Sequence, residues 1–138
     1  MKLKEIMTHN VEIIHPEDTL QVAAQKMRDR NVGFLPVYEG GELIGVVTDR
    51  DITVRAIAKG ADPRTMLNRG LITTPAIYCL EDQSVDDATD LMHDNQIRRL
   101  VILKRGNRQL AGVVSLGDLA LNVDDKMTAE VLQSVSVP

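Results

Sequence analysis

The feature that most constrains the fold of this chain is an internal repeat. Polar, apolar and small positions return in the same order in the second half: Thr19-Leu20-x-x-Ala23-x-x-x-Met27 as Ser84-Val85-x-x-Ala88-x-x-x-Met92, and Leu43-Ile44-Gly45-Val46-Val47-Thr48-x-x-Asp51 as Leu110-Ala111-Gly112-Val113-Val114-Ser115-x-x-Asp118. A repeat of this length indicates one supersecondary unit present twice, and neither copy alone would bury a core well. We therefore expect function to lie where the two copies meet.

The repeat predicts a mixed α/β (α+β) protein in which each copy has the element order β-α-β-β-α. One unit is predicted over residues 1–63, and a second unit with a C-terminal tail over residues 64–138. The linker between them is predicted at residues 60–64, where Gly60 and Pro63 interrupt the pattern.

Hydrophobic periodicity and turn residues locate the individual elements. After a short helical turn near the N-terminus, the first copy is predicted to form elements over residues 11–14, 19–30, 34–38, 43–48 and 49–59. The second copy is predicted to form them over residues 76–80, 84–95, 100–103, 110–115 and from residue 116 onward. Gly40-Gly41 predicts a hairpin turn, and Gly60 a helix end. Helical character at residues 129–132 and disorder of the last residues are also expected.

Composition disfavours several classes of function. The formal net charge of -4 argues against a nucleic-acid partner, and an aromatic content of 2% argues against a stacking platform for single strands. The single cysteine, Cys79, cannot form an internal disulfide and indicates a reducing compartment. No segment resembles a signal peptide or a membrane span, so a cytoplasmic location without a membrane partner is predicted.

A hydroxyl followed three residues later by a carboxylate ends the last strand of each copy, as Thr48 with Asp51 and as Ser115 with Asp118. One interpretation is structural: each hydroxyl caps a helix, and each carboxylate lies favourably at its N-terminus. The other interpretation is that hydroxyl and carboxylate together bind vicinal hydroxyls such as those of a ribose, because ligands of α/β folds collect at the carboxyl ends of strands. The sequence leaves both open.

Arg98 and Arg99 precede an apolar strand in the second copy, whereas the first copy has Gly33 and Phe34 at the corresponding positions. This pair is either a solvated charge pair at a strand start or an anion site, since guanidinium groups bind phosphate oxygens in a bidentate manner. If phosphate binds, the asymmetry predicts that it binds near these arginines.

Neither a metal site nor a catalytic site is predicted. The metal-capable residues His9, His15, His93 and Cys79 have no ligand-like spacing. The sequence also contains neither a nucleophile-elbow motif nor a phosphate-binding P-loop, and Cys79 lies within an apolar strand where it is expected to pack.

The duplicated β-α-β-β-α pattern with its Gly-Val-Val-Thr/Ser-x-x-Asp motif resembles a stand-alone tandem pair of CBS domains, over residues 4–122. The resemblance implies two CBS units packed with pseudo-twofold symmetry, two clefts between them, and association into a homodimer. It also implies an adenosine derivative as ligand: AMP, ADP, ATP, NAD or S-adenosylmethionine.

Carried over by position, the resemblance implies two unequal sites. In one cleft the resemblance implies that Thr48 and Asp51 hold the ribose and that Arg98 and Arg99 face the phosphate. The residues implied around adenine are Val46, Ala76 and Ile77. In the second cleft the residues would be Ser115, Asp118, Val113 and Val11, and Gly33 and Phe34 offer no phosphate partner there.

The leading hypothesis is a non-catalytic sensor or regulatory module that binds adenosine nucleotides and acts on a downstream protein not specified by this chain. Two alternatives remain open. One is a structural or protein-interaction module without a ligand, and the other is a metal-responsive module that uses histidine and Cys79. An enzyme is not expected.

Overall fold

The computed structural model describes residues 1–122 together with Gln133 and Val135. The predicted helical character at residues 129–132 and the predicted terminal disorder lie outside the described residues. The chain divides into two compact units. Unit A consists of Met1–Val11 and Ile77–Pro138, and unit B consists of Glu12–Ala76. The compact units therefore differ from the predicted division at residues 63 and 64. Each copy begins with a segment that packs in the compact unit of the other copy, and we call these two segments, residues 1–11 and residues 64–76, the leaders.

Unit B contains one helix and a two-stranded sheet, followed by short helical turns. Helix α1 (Leu20–Arg30) precedes the antiparallel strands β1 (Phe34–Glu39) and β2 (Glu42–Thr48). A π-helix (Asp51–Ala56) and two 3₁₀ turns (Ile57–Lys59 and Asn68–Gly70) follow. Thr19 caps α1 by accepting a hydrogen bond from the N–H of Val22, and the predicted hairpin glycines adopt positive φ.

Two predicted elements of the first copy differ in form. The strand predicted at residues 11–14 is reduced to a single parallel bridge from Ile14 to Val37, because residues up to Val11 belong to unit A. The helix predicted at residues 49–59 is present, but its central turn is π-helical, with the N–H of Ile57 bonded to the carbonyl of Ile52. Periodicity did not reveal this wider turn, since Ile52 and Ala56 are buried at an ordinary helical spacing.

The described residues of unit A form a 3₁₀ turn (Leu3–Glu5) followed by β3 (Tyr78–Leu80), α2 (Val85–Asn95), β4 (Arg99–Leu103), β5 (Leu110–Ser115) and α3 (Leu116–Ala120). The three strands form a mixed sheet in the order β3-β4-β5. Strand β3 is parallel to β4, and β5 is antiparallel to β4. Helix α2 begins with a capping box, in which Ser84 and Asp87 each accept the other's backbone N–H.

The leaders exchange between the copies. Thr8 pairs with Val113 at the edge of β5, and Thr73 pairs with Val46 at the edge of β2. Each leader also accepts a hydrogen bond from the first residue of a helix in its compact unit. The carbonyl of Met1 accepts the N–H of Val85 in α2, and the carbonyl of Met66 accepts the N–H of Leu20 in α1. These N–H groups lie at helix starts and have no intrahelical partner, so each leader is an integral part of its compact unit.

The repeated glycine permits this exchange. A Cβ atom on Gly45 would lie 2.4 Å from the carbonyl oxygen of Thr73, and one on Gly112 would lie 2.4 Å from the carbonyl oxygen of Thr8. Neither glycine has a positive φ, so close backbone approach is the reason for glycine at both positions.

Each unit has its own buried core. Residues of α2, β4 and β5 pack with Leu3 of the first leader in unit A, and residues of α1, β1 and β2 pack with Leu71 of the second leader in unit B. The segment after the predicted linker is fixed in place, since buried Asn68 donates its side-chain amide to the carbonyls of Asp18 and Thr19.

Candidate functional site

Thr48 and Asp51 form a reciprocal cap at the carboxyl end of β2. Thr48 Oγ1 accepts the N–H of Asp51 at 3.0 Å, and Asp51 Oδ2 accepts the N–H of Thr48 at 3.1 Å. Both residues are half-buried. The other carboxylate oxygen, Oδ1 of Asp51, lies 3.5 Å from Nη1 of Arg55, which is also 3.5 Å from the carbonyl oxygen of Leu71.

Ser115 and Asp118 repeat this geometry at the carboxyl end of β5. Ser115 Oγ accepts the N–H of Asp118 at 3.1 Å, and Asp118 Oδ2 accepts the N–H of Ser115 at 2.9 Å. The capping interpretation is therefore confirmed in both copies. In each copy the cap uses Oδ2 of the aspartate.

The residues predicted to surround adenine lie on equivalent segments of the two units. Val46 exchanges backbone hydrogen bonds with Thr73, and Ala76 follows three residues later as the last residue of unit B. Val113 exchanges the same bonds with Thr8, and Val11 follows three residues later in unit A. Ile77 is the first residue of its segment of unit A. Each predicted adenine site thus combines a residue of β2 or β5 with the leader that crosses that strand.

Strand register places the arginines beside Ser115. Arg99 lies opposite Ser115 in the β4–β5 pair, and the carbonyl of Arg98 accepts the N–H of Leu116 at 2.7 Å. At the matching place in unit B, Phe34 lies opposite Thr48. The predicted association of Arg98 and Arg99 with Thr48 and Asp51 joins residues of two units and stays a prediction.

The metal-capable residues do not cluster in the described part of the chain. Among residues 1–122, 133 and 135, the structure has no group of three or more His, Cys, Asp or Glu that could hold a metal ion. Cys79 is fully buried, and burial raises the pKa of its thiol to about 11, so the thiol stays protonated at neutral pH. This thiol is poorly suited to nucleophilic chemistry.

Within the described residues, every helix is too short or too polar to cross a bilayer.

The leader exchange is the part of the site that the sequence analysis missed. Sequence reasoning identified the Gly-Val-Val motif but assigned its glycine no role. The glycine at the same strand position in both copies was the available signal, because an interior glycine in a strand marks close approach of another backbone.

Comparison with known proteins identifies the repeat. A family model described as CBS domain matches residues 3–56 and again residues 69–125. The chain is 42% identical to the CBS domain-containing protein YhcV of Bacillus subtilis over 120 residues, covering 87% of this chain and 84% of that protein.

Solved structures show the same fold. The crystal structure of Hypoxic Response Protein I with two coordinated zinc ions is 30% identical, with a TM-score of 0.78, covering 90% of this chain and 100% of that one. The CBS domain pair of protein MJ0100, in complex with 5′-methylthioadenosine and S-adenosyl-L-methionine, has a TM-score of 0.77 over 88% of this chain and 94% of that one. At 23% identity, this second likeness shows the fold alone.

Proposed function

This chain belongs to the CBS-domain family as a tandem pair, and from this premise we propose that it is a non-catalytic regulatory module that binds adenosine derivatives. The observation that carries the proposal is the hydroxyl–carboxylate pair at the carboxyl end of the last strand in both units, beside the leader that crosses that strand. In each pair the cap occupies one carboxylate oxygen, and the other oxygen is suited to accept hydrogen bonds from ribose hydroxyls.

The proposed sites keep the residues derived from the family resemblance. Thr48 and Asp51 bind ribose in the first site, Val46, Ala76 and Ile77 surround adenine, and Arg98 and Arg99 bind phosphate. Ser115, Asp118, Val113 and Val11 form the second site, where Gly33 and Phe34 supply no charge. The complex of MJ0100 with S-adenosyl-L-methionine concerns a protein only 23% identical, so it supports an adenosine derivative as the kind of ligand this fold can bind and assigns no residue role here.

The proposed mechanism is a population shift. A ligand that binds one arrangement of the paired units more tightly favours that arrangement, by no more than its difference in binding free energy. We propose that this shift in population changes either a homodimer of this chain or a downstream protein that binds it. We also propose that the chain and its downstream protein act in the cytoplasm.

Asp51→Asn is expected to weaken binding of AMP at the first site by about tenfold or more. The amide oxygen of asparagine still accepts the N–H of Thr48, so the cap is kept. The anionic acceptor is lost, and hydrogen bonds to charged groups contribute about 1.5–3 kcal/mol. Calorimetric titration with AMP, ATP, NAD and S-adenosylmethionine measures the effect.

Asp49→Asn is the matched control for this measurement. It makes the same charge change two residues earlier, on an exposed side chain that accepts only the N–H of Arg50 within the described structure. Binding that is equally strong in Asp51→Asn and in the control would contradict the proposed ribose role.

Removing both arginines with Arg98→Gln and Arg99→Gln is expected to weaken AMP binding by about tenfold or more, without weakening adenosine binding. The loss should be as large in an Asp118→Asn background, where the first site alone keeps its carboxylate, and smaller in an Asp51→Asn background, where the second site alone keeps one, because the arginines are assigned to the first site. The reverse dependence would instead assign them to Ser115 and Asp118, which share their compact unit.

A protein-interaction module without a ligand is the second candidate. The reciprocal caps favour it, since they explain Thr48, Asp51, Ser115 and Asp118 without any bound molecule. Ultraviolet absorbance of the supernatant from denatured, freshly purified protein separates the candidates. A released adenine chromophore supports the nucleotide site, whereas no chromophore and no heat of titration with any of the four compounds supports the interaction module.

A further inference from the structure

A pocket of about 450 Å³ lies within unit A, at the sheet edge where β3 and β4 end and β5 begins. Of the residues assigned to the nucleotide sites, this pocket shares Val11. Ser115 lies at the opposite end of β5, about 17 Å from Leu110 at 3.3 Å per strand residue. A pocket of this size suits a small molecule.

The fold gathers four polar side chains at this edge. Glu81 follows β3 and Lys104 follows β4, and the two parallel strands end side by side, with the N–H of Glu81 bonded to the carbonyl of Leu103. The leader brings His9 and Asn10 to the same edge after Thr8 has paired with Val113. Crevices outside the carboxyl ends of parallel strands are frequent ligand sites in α/β proteins.

The polar side chains of the pocket lack protein partners. Across residues 1–122, 133 and 135, the side chains of His9, Asn10, Glu81 and Lys104 make no hydrogen bond or ion pair. The next residue after each of these two, Asp82 and Arg105, forms an ion pair with the other, since Arg105 Nε lies 2.6 Å from Asp82 Oδ2. The turns thus pair one set of charges with each other and leave Glu81 and Lys104 facing a cavity.

The remaining lining is apolar and consists of Met7, Val11, Leu110 and Ala111. The pocket therefore combines one cation, one anion and two neutral polar groups with an apolar wall. A ligand that carries a single charge would pair with one of the two ionic groups and leave the other without a partner. A zwitterion with an apolar substituent satisfies both.

We propose that this pocket binds a small zwitterion of the α-amino acid type with an apolar side chain. Lys104 receives the carboxylate, Glu81 receives the ammonium group, and the amide of Asn10 adds a hydrogen bond. The apolar side chain packs on Met7, Val11 and Leu110. The pocket shares Val11 with the proposed second nucleotide site, and a zwitterion bound in it would make unit A responsive to a second class of small molecule.

The test is a titration of the full chain with L-leucine, followed by ¹H–¹⁵N NMR. Saturable shifts are expected at the amides of His9, Asn10 and Lys104. Two analogues separate the ionic contacts: isopentylamine lacks the carboxylate, and 4-methylpentanoate lacks the amino group. Each is expected to bind at least tenfold more weakly than leucine.

Variants assign the binding to the pocket. Glu81→Gln and Lys104→Gln are each expected to weaken leucine binding at least tenfold, whereas Asp82→Asn and Arg105→Gln, which make the same charge changes one residue away, are expected to leave it unchanged. The NMR spectrum of each variant reports directly whether it is folded. The proposal is overturned by an absence of saturable shifts, by an analogue that binds as tightly as leucine, or by pocket variants that behave like the controls.

Discussion

Gly112→Ala is expected to lower the free energy of unfolding by about 1–3 kcal/mol or more, and Gly45→Ala to do the same. The new methyl group would lie 2.4 Å from a backbone carbonyl oxygen of the crossing leader, so the leader would have to move away from the strand. Movement breaks the paired hydrogen bonds of Thr8 with Val113, or of Thr73 with Val46. Urea denaturation of the two variants and of the unchanged protein measures the loss.

Gly117→Ala is the control for both changes. Gly117 lies within α3, and its added Cβ would meet only Ser115 Oγ, at an ordinary 3.6 Å. Alanine favours a helix over glycine by about 0.5–1 kcal/mol, so this variant is expected to be neutral or more stable. Equal stability of Gly112→Ala and Gly117→Ala would show that the leader does not approach β5 as closely as described.

Leu3→Ala is expected to destabilise unit A by about 2–5 kcal/mol, the range found for truncating a buried leucine. Leu3 is fully buried, and although it lies in the leader of the first copy, it packs in the core of unit A, which contains most of the second copy. Leu71→Ala is the reciprocal variant, since Leu71 lies in the leader of the second copy and packs in the core of unit B.

Native-state hydrogen exchange locates each effect. Leu3→Ala should accelerate exchange most in α2, β4 and β5, and Leu71→Ala most in α1, β1 and β2. A pattern that follows sequence order, with Leu3→Ala affecting mainly residues 12–63, would contradict the leader exchange and support the division at residues 63 and 64.

Most of the secondary structure could be predicted because the local signals were strong. Elements were predicted from residues 19 and 84, where Thr19 and Ser84 cap α1 and α2, and the adjacent glycines 40 and 41 turn the first hairpin as predicted. These features depend on residues within a few positions of one another. The predicted family was likewise confirmed, because the repeat preserves apolar and polar positions over both halves.

The features that could not be predicted depend on distant parts of the chain. Residues 11–14 have the composition of a strand, yet only Ile14 pairs with β1, because the leader up to Val11 crosses β5 instead. The pocket of Glu81 and Lys104 has no sequence signal at all. Its polar residues come from three segments that only the parallel pairing of β3 with β4 and the crossing leader bring together.

The site itself was predicted in part. The sequence identified Thr48, Asp51, Ser115 and Asp118 as hydroxyl–carboxylate pairs and left two interpretations open. The structure establishes their capping contacts. The ligand role of these residues, and the phosphate role of Arg98 and Arg99, are proposals that require a bound molecule to test.

A crystal structure of the full chain grown with excess AMP tests the proposed function most directly. We expect the two ribose hydroxyls within hydrogen-bond distance of the Asp51 carboxylate, with adenine against Val46 and Ala76. A structure in which Asp51 contacts only Thr48 and Arg55 while AMP is bound elsewhere or absent would contradict the proposal.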